Sequence, residues 1–203
     1  ATSGDYEGGF KAFRESVIAA IEMATVAHNR GGGLAGGGSG FKDMDSLLGG
    51  MHPSDLLILA GRPSMGKTAL ATNIAYNASK DYYESEGREG AVVGFFSLEM
   101  SSEQLASRIL SEQSNISSDR MRKGELASEE FNRLSAASNT LHQIPIFIDD
   151  TPALTVSALR TRARRLKRQH NLGLIVVDYL QLIAGSSTSR NDGRVQEVSE
   201  ITR

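Results

Sequence analysis

The sequence predicts an α/β fold in which a mostly parallel sheet is flanked by helices, and three observations predict it. Gly61-Arg62-Pro63-Ser64-Met65-Gly66-Lys67-Thr68 is a full match to the pattern G-x-x-x-x-G-K-[ST], a loop that joins a strand to a helix. Leu174-Ile175-Val176-Val177-Asp178 is a continuous apolar run ending in a carboxylate, as expected of a strand buried on both faces of a parallel sheet. Between them, short apolar runs alternate with stretches of helical period, which is the signature of βαβ units.

Composition narrows the classes. A chain of 203 residues with 39% hydrophobic and 23% charged residues is globular and large enough to bury a core. A net charge of −2 gives no global attraction for nucleic acid. Cysteine is absent, which excludes a disulfide scaffold and a thiolate metal site and favours the cytosol. His28, His52, His142 and His170 are scattered without ligand spacing. No apolar run approaches a membrane span and no signal-peptide pattern opens the chain. The expectation is a soluble, cytoplasmic protein.

The elements follow in order. Residues 1–9 are small, polar and glycine-rich, and read as linker. From Phe10 to Asn29 the period is helical, with Phe13, Val17, Ile18, Ile21 and Val26 on one face. Arg30 to Gly40 is glycine-rich enough to act as a hinge, so this first helix is expected to be tethered rather than packed on its own domain. Residues 1–40 are thus read as linker, linker helix and hinge, and 41–203 as the nucleotide-binding domain. Phe41 to Leu48 predicts a short helix ended by Gly49-Gly50. Leu56 to Ala60 predicts a buried strand, and Thr68 to Asn77 the helix after the loop. Lys80 to Gly90 is charged and loop-like. Ala91 to Ser97 predicts a strand and Ser101 to Gln113 a helix, with Ser101 and Ser102 as cap candidates. A polar, mostly helical stretch runs to Thr140. Ile144 to Ile148 predicts the next strand, with Asp149 and Asp150 at its tip, and Thr155 to His170 a helix with Val156, Leu159, Ala163 and Leu166 on one side.

The glycine-rich loop carries the chemistry. Gly61 and Gly66 let the backbone curl so that its N–H groups face phosphate oxygens, with the helix N-terminus behind them. Lys67 reaches the β- and γ-phosphates, and the Thr68 hydroxyl is placed on a magnesium ion. Pro63, Met65 and Ala69 complete the segment around the phosphates. Asp178 ends its strand where ligands bind in open α/β sheets, and holds the same Mg2+ directly or through water. Hydrolysis also needs a group that orients or deprotonates water. Glu99, just past a strand tip, competes for that role with Asp149, Asp150 and Glu103. The basic run Arg160, Arg162, Arg164, Arg165, Lys167, Arg168 alternates with an apolar stripe and has no interleaved aromatic residues, so it reads as the solvated face of a packed helix.

Three segments together resemble the motor domain of the DnaB family of hexameric replicative helicases: Arg62 to Thr68, Phe96-Ser97-Leu98-Glu99-Met100, and Asp178-Tyr179-Leu180-Gln181. The approach Leu47 to Leu56 and the tail Gln196 to Arg203 look like the same family, so the resemblance covers about residues 35 to 203. It implies a RecA-like ATPase fold, ATP with Mg2+, and translocation on single-stranded DNA. On this basis Glu99 matches the catalytic glutamate, general base for water. Lys67, Thr68 and Asp178 match the phosphate and magnesium ligands, and Gln181 matches a position near the γ-phosphate. Arg62 and Ser64 contribute chiefly backbone groups. The segment 184–193 would face a central pore, where Arg190 and Arg194 meet DNA phosphates. The resemblance further implies a homo-hexamer joined through neighbouring motor domains and the linker helix, with a primase and a helicase loader as partners. Further strands, a sensor glutamine, a basic finger and an N-terminal collar have no counterpart in this sequence. The chain alone is therefore expected to show at most weak ATPase and no unwinding. Two other readings are a recombinase-like ATPase that forms filaments on DNA, and a module that binds nucleotide without productive hydrolysis.

Overall fold

The structure, a computed structural model, describes residues 12–29 and 36–180. Its helices are α1 (Phe13–Asn29), α2 (Lys42–Leu48), α3 (Lys67–Glu84), α4 (Ser102–Ser114), α5 (Ser118–Lys123), α6 (Ser128–Leu141) and α7 (Val156–His170). Its strands are β1 (Val92–Ser97), β2 (Ile146–Asp149) and β3 (Leu172–Asp178). They form one parallel sheet in the order β2-β1-β3, with β1 in the centre. Strands and helices alternate, as the periodicity requires.

Helices cover both faces of the sheet. On one face Ala75 and Ala78 of α3 meet Val93 and Phe95 of β1, with Leu105 of α4 completing a fully buried cluster. Small residues on α3 let the helix lie close to the strand. On the other face Phe96 and Leu172 pack under Leu154 and Ala163, so α7 sits over β1 and β3. Burying each large apolar side chain contributes about 1.5–3 kcal/mol, and β1, buried along its whole length, anchors both layers.

Local signals set the helix ends. Ser101 caps α4 in a reciprocal capping box with Gln104, and the Thr155 hydroxyl accepts from the Ala158 N–H at the start of α7. Gly49, at φ 70°, ends α2. α3 runs on to Glu84, seven residues past the predicted Asn77, because Ala78 and Ser79 are buried against the sheet and extend the packed face.

Gly90 makes the turn from α3 into β1. Its φ is +69°, and an added Cβ would lie 2.2 Å from the Ala78 carbonyl oxygen and 2.5 Å from the Tyr82 nitrogen. Those are backbone atoms of α3 and cannot yield without unwinding it. Adding left-handed strain (~1–2 kcal/mol) to overpacking (~1–3 kcal/mol), Gly90→Ala is expected to lose roughly 2–5 kcal/mol and about 10 °C in Tm. A melting curve unchanged from wild type would contradict this geometry.

Two expectations are corrected. Leu56 to Ala60 is not a buried strand: it forms no ladder, and Leu56, Leu57, Ile58 and Leu59 are exposed. β3 is also less buried than a central strand, with Ile175 exposed. Both have one physical reason. Among the described residues the outer edge of β3 is unpaired and Leu56 to Ala60 has no strand beside it, so neither segment has a neighbour on that side to cover it.

The apolar residues Phe13, Val17, Ile18 and Ile21 of α1 are all exposed. At the other end of the predicted hinge, Gly37 and Met51 exchange backbone hydrogen bonds of 2.8 Å each way, and the Ser39 carbonyl accepts from Asn77 on α3. Residues 36–40 are thus fixed to the domain, while 30–35 lie outside the described residues. Among the described residues, no helix is long and apolar enough to cross a membrane.

Candidate nucleotide site

α3 and β1 bring the loop and the strand tips to the same end of the sheet. The Ala91 N–H, just before β1, donates to the Ala78 carbonyl at 2.9 Å. From Ala78 back to Lys67 the helix rises ~16 Å, and β1 extends ~20 Å from its start. With α3 packed along β1, the start of the helix and the end of the strand lie together.

The loop itself is held open-sided. Gly66, at φ 83°, caps α3 in a left-handed conformation, and Ser64 takes φ 63° in the preceding turn. Gly61 to Gly66 are exposed, with Met65 at 74%. The Lys67 ammonium donates to the carbonyls of Gly61 and Arg62 at 2.8 and 3.1 Å. It thereby closes the loop on itself and lies across the concave side. Thr68, half-buried in the first turn of α3, accepts through its carbonyl from the Thr72 hydroxyl at 2.6 Å. The loop leads into a helix N-terminus whose free N–H groups favour an anion. Arg62, Pro63 and Ala69 are exposed around it.

Asp178 ends β3 opposite Ser97 of β1. It is 6% exposed, and its Oδ2 is buried with no hydrogen-bond partner among the described residues. A buried carboxylate oxygen without a donor is unfavourable unless a cation compensates it. Among the described residues no three His, Cys, Asp or Glu side chains cluster as a metal cage. One carboxylate and one hydroxyl suit Mg2+, which keeps several waters and takes phosphate oxygens, and do not suit zinc.

Glu99 stands two residues beyond β1, exposed, without a hydrogen-bond or ion-pair partner among the described residues. Its segment is tied to Asp178, since the Leu98 N–H donates to the Asp178 carbonyl at 2.8 Å. Below it the buried Ser97 hydroxyl donates to the Met100 carbonyl at 2.7 Å and fixes the turn. Neither tie has a sequence signature, because each depends on how the chain crosses between strands.

The three competing acids are engaged elsewhere. β2 lies on the side of β1 away from β3, so Asp149 and Asp150 stand one strand further from Asp178. Asp149 is bonded to Arg162 and Thr151, and Asp150 accepts from the Ser102 N–H at the start of α4. Glu103, in the first turn of α4, is held below the usual carboxylate range by its own backbone N–H and the Ser101 hydroxyl. Gln181, Arg190 and Arg194 lie outside the described residues.

Partial burial raises the Asp149 pKa, but hydrogen bonds from Arg162 and Thr151 outweigh it, and the net shift is downward. A folded-state pKa below the unfolded value near ~3.9 contributes stability above that pH and loses it as pH falls through the folded pKa. Asp149→Asn is therefore expected to lower Tm at pH 7, and the gap from wild type should close below about pH 4. A Tm gap independent of pH would show that the Asp149–Arg162 pair is not its source.

The family sequence model described as "DnaB-like helicase C terminal domain" matches residues 36–203. This chain belongs to that family. The replicative DNA helicase DnaB of Rickettsia conorii is 49% identical over 206 residues, which is all of this chain and 41% of that protein. DnaB of Geobacillus stearothermophilus is 42% identical, covering 98% of this chain and 42% of that protein. This DnaB-like domain thus spans about two fifths of the relatives it matches. Among solved structures, the ATPase domain of G40P superposes with a TM-score of 0.82 at 27% identity, over 96% of this chain and 66% of that one. A DnaB-like replicative helicase studied with primase gives 0.78 at 28% identity, over 96% and 44% respectively. The α/β layers around the nucleotide loop are those of a DnaB-like ATPase domain.

Proposed function

We propose that this chain is the motor portion of an ATP-dependent replicative DNA helicase, which binds ATP with Mg2+ and hydrolyses it to move along single-stranded DNA. One observation carries this reading: the helix that follows the exposed loop packs along β1, at whose end lie a buried carboxylate and an exposed glutamate, both unpartnered among the described residues. The loop from Gly61 to Thr68, with Ala69, wraps the triphosphate through backbone N–H groups other than at Pro63, which has none, and Lys67 leaves the Gly61 and Arg62 carbonyls for the β- and γ-phosphate oxygens. Thr68 and Asp178 hold Mg2+, which when bound neutralises the charge developing on the phosphoryl oxygens. Glu99 takes the proton of the attacking water, pinned at the correct depth by the Leu98 tie to Asp178. Gln181 senses the γ-phosphate, and Arg190 and Arg194 contact DNA phosphates.

The uncovered apolar residues of α1 support a role in assembly. α1 is the linker helix of residues 1–40, and in a homo-hexamer it docks on the neighbouring motor domain of residues 41–203. A cytoplasmic location, a primase and a helicase loader belong to the same reading.

Steady-state ATP hydrolysis, with and without single-stranded DNA over a range of protein concentrations, tests it. A rate that climbs steeply with both protein and DNA is expected if subunits complete one another's sites. A flat rate near zero alongside measurable ATP binding would replace the motor with a nucleotide-binding module.

A further inference from the structure

α7 is packed on one side as its apolar stripe requires, with Leu159, Ala163 and Leu166 among the residues of the cluster over β1 and β3. The charge on its other side has no such account. Six of the chain's 22 Lys and Arg stand in the nine residues from Arg160 to Arg168, and no acidic residue occurs between Thr151 and Val177. The helical period sets Thr161, Arg164, Arg165 and Arg168 opposite the apolar stripe, and all four are exposed.

These cations are not there to hold the fold. On α5 every cation meets a carboxylate, Arg120 with Glu130 and both Arg122 and Lys123 with Asp119. On α7 only Arg162 does so among the described residues, through Asp149. Arg160, Arg164 and Arg168 follow one another at four-residue steps, about 6 Å along the axis, and like charges at that spacing weaken a helix. The helix dipole favours cations in the last turn, which accounts for Lys167 and Arg168 but not for Arg160, Arg164 and Arg165. Such a row suits a partner that is itself a regular line of negative charge.

We propose that the outer face of α7 binds the phosphate backbone of duplex DNA, at a surface on the opposite side of the sheet from α3 and its loop. Duplex DNA carries one negative charge per ~1.7 Å of its axis, and cations displacing its counterions bind it without reading sequence. Two features of the face select this partner. It has no Phe, Tyr or Trp, and single strands are held largely by stacking on such rings, whereas a duplex keeps its bases stacked on one another. Its outward positions are also without an apolar residue, and a protein partner would need such an anchor at the centre of an interface. The motor reading enters only in making DNA the ligand at hand.

The test measures anisotropy of a fluorescein-labelled duplex of about 20 base pairs on the whole chain without nucleotide, over a series of salt concentrations. The double variant Arg164→Ala, Arg165→Ala is expected to raise Kd at least ~10-fold and to lower the slope of log Kd against log salt by about 1.8, since each phosphate contact contributes ~0.9. Arg164→Lys with Arg165→Lys should restore the slope, because backbone contact needs the charge and not the guanidinium shape. Both side chains are exposed, and a Tm equal to wild type confirms that each variant is folded. Lys67→Ala should bind the duplex like wild type, so a failed nucleotide site and a failed DNA surface read separately. An unchanged slope in the double Ala variant would overturn the proposal. So would an oligo(dT) strand of the same length that loses more affinity than the duplex, or poly-glutamate that binds as tightly as the duplex and loses as much in the same variant.

Discussion

Lys67→Ala is expected to weaken ATP binding at least ~100-fold while leaving the fold intact. The ammonium now donates to two exposed carbonyls, Gly61 and Arg62, which water can satisfy once it is gone. Its removal therefore costs little stability, and Tm should stay within a degree or two. Bound nucleotide is different, because charge-assisted hydrogen bonds to phosphate contribute about 1.5–3 kcal/mol each. Losing two of them removes ~3 kcal/mol or more, which is ~100-fold or more in Kd. Titration calorimetry with ATP and Mg2+ on wild type and variant measures this directly. An unchanged Kd would sink the assignment of the loop.

Glu99→Gln is expected to separate binding from turnover. The substitution keeps shape and removes the ability to take a proton, and general-base catalysis contributes ~10²–10⁴-fold in rate. Glu99 has no partner to lose among the described residues, so ATP affinity and Tm should hold within experimental scatter while phosphate release under single-turnover conditions falls by that factor. Asp149→Asn and Asp150→Asn are the informative controls, since both acids are committed to structural bonds. If either of them abolished turnover while Glu99→Gln retained it, the base would have to be sought at the tip of β2.

The two variants test different halves of the same site, and the fold explains why both halves are needed. The loop sits at the start of α3, whereas Glu99 and Asp178 end neighbouring strands. In the proposed site, the packing of α3 on β1 is what brings them together. Gly90→Ala should therefore disturb catalysis as well as stability, because it disturbs the turn that sets α3 against β1.

Much of this was legible in the residues themselves. The spacing of Gly61, Gly66, Lys67 and Thr68 is the pattern of a phosphate-wrapping loop, and it stands in the sequence whatever surrounds it. The helices from Ser102 to Ser114 and from Val156 to His170 were legible through caps and apolar period, which are local. Asp178 was legible because a carboxylate that closes a run of four apolar residues stands at a strand tip, where an open sheet binds its ligands. Glu99, by contrast, could not be separated by spacing from Asp149, Asp150 and Glu103.

What only the tertiary structure decided is everything that depends on which strand lies beside which. The order β2-β1-β3 puts Asp149 and Asp150 on the far side of β1 and commits them to Arg162 and Ser102. It leaves the apolar run Leu56 to Ala60 exposed, although its composition reads as a buried strand. Apolar residues record that a segment prefers burial. They cannot record whether a hydrogen-bonding neighbour is at hand, because backbone pairing is supplied by another part of the chain.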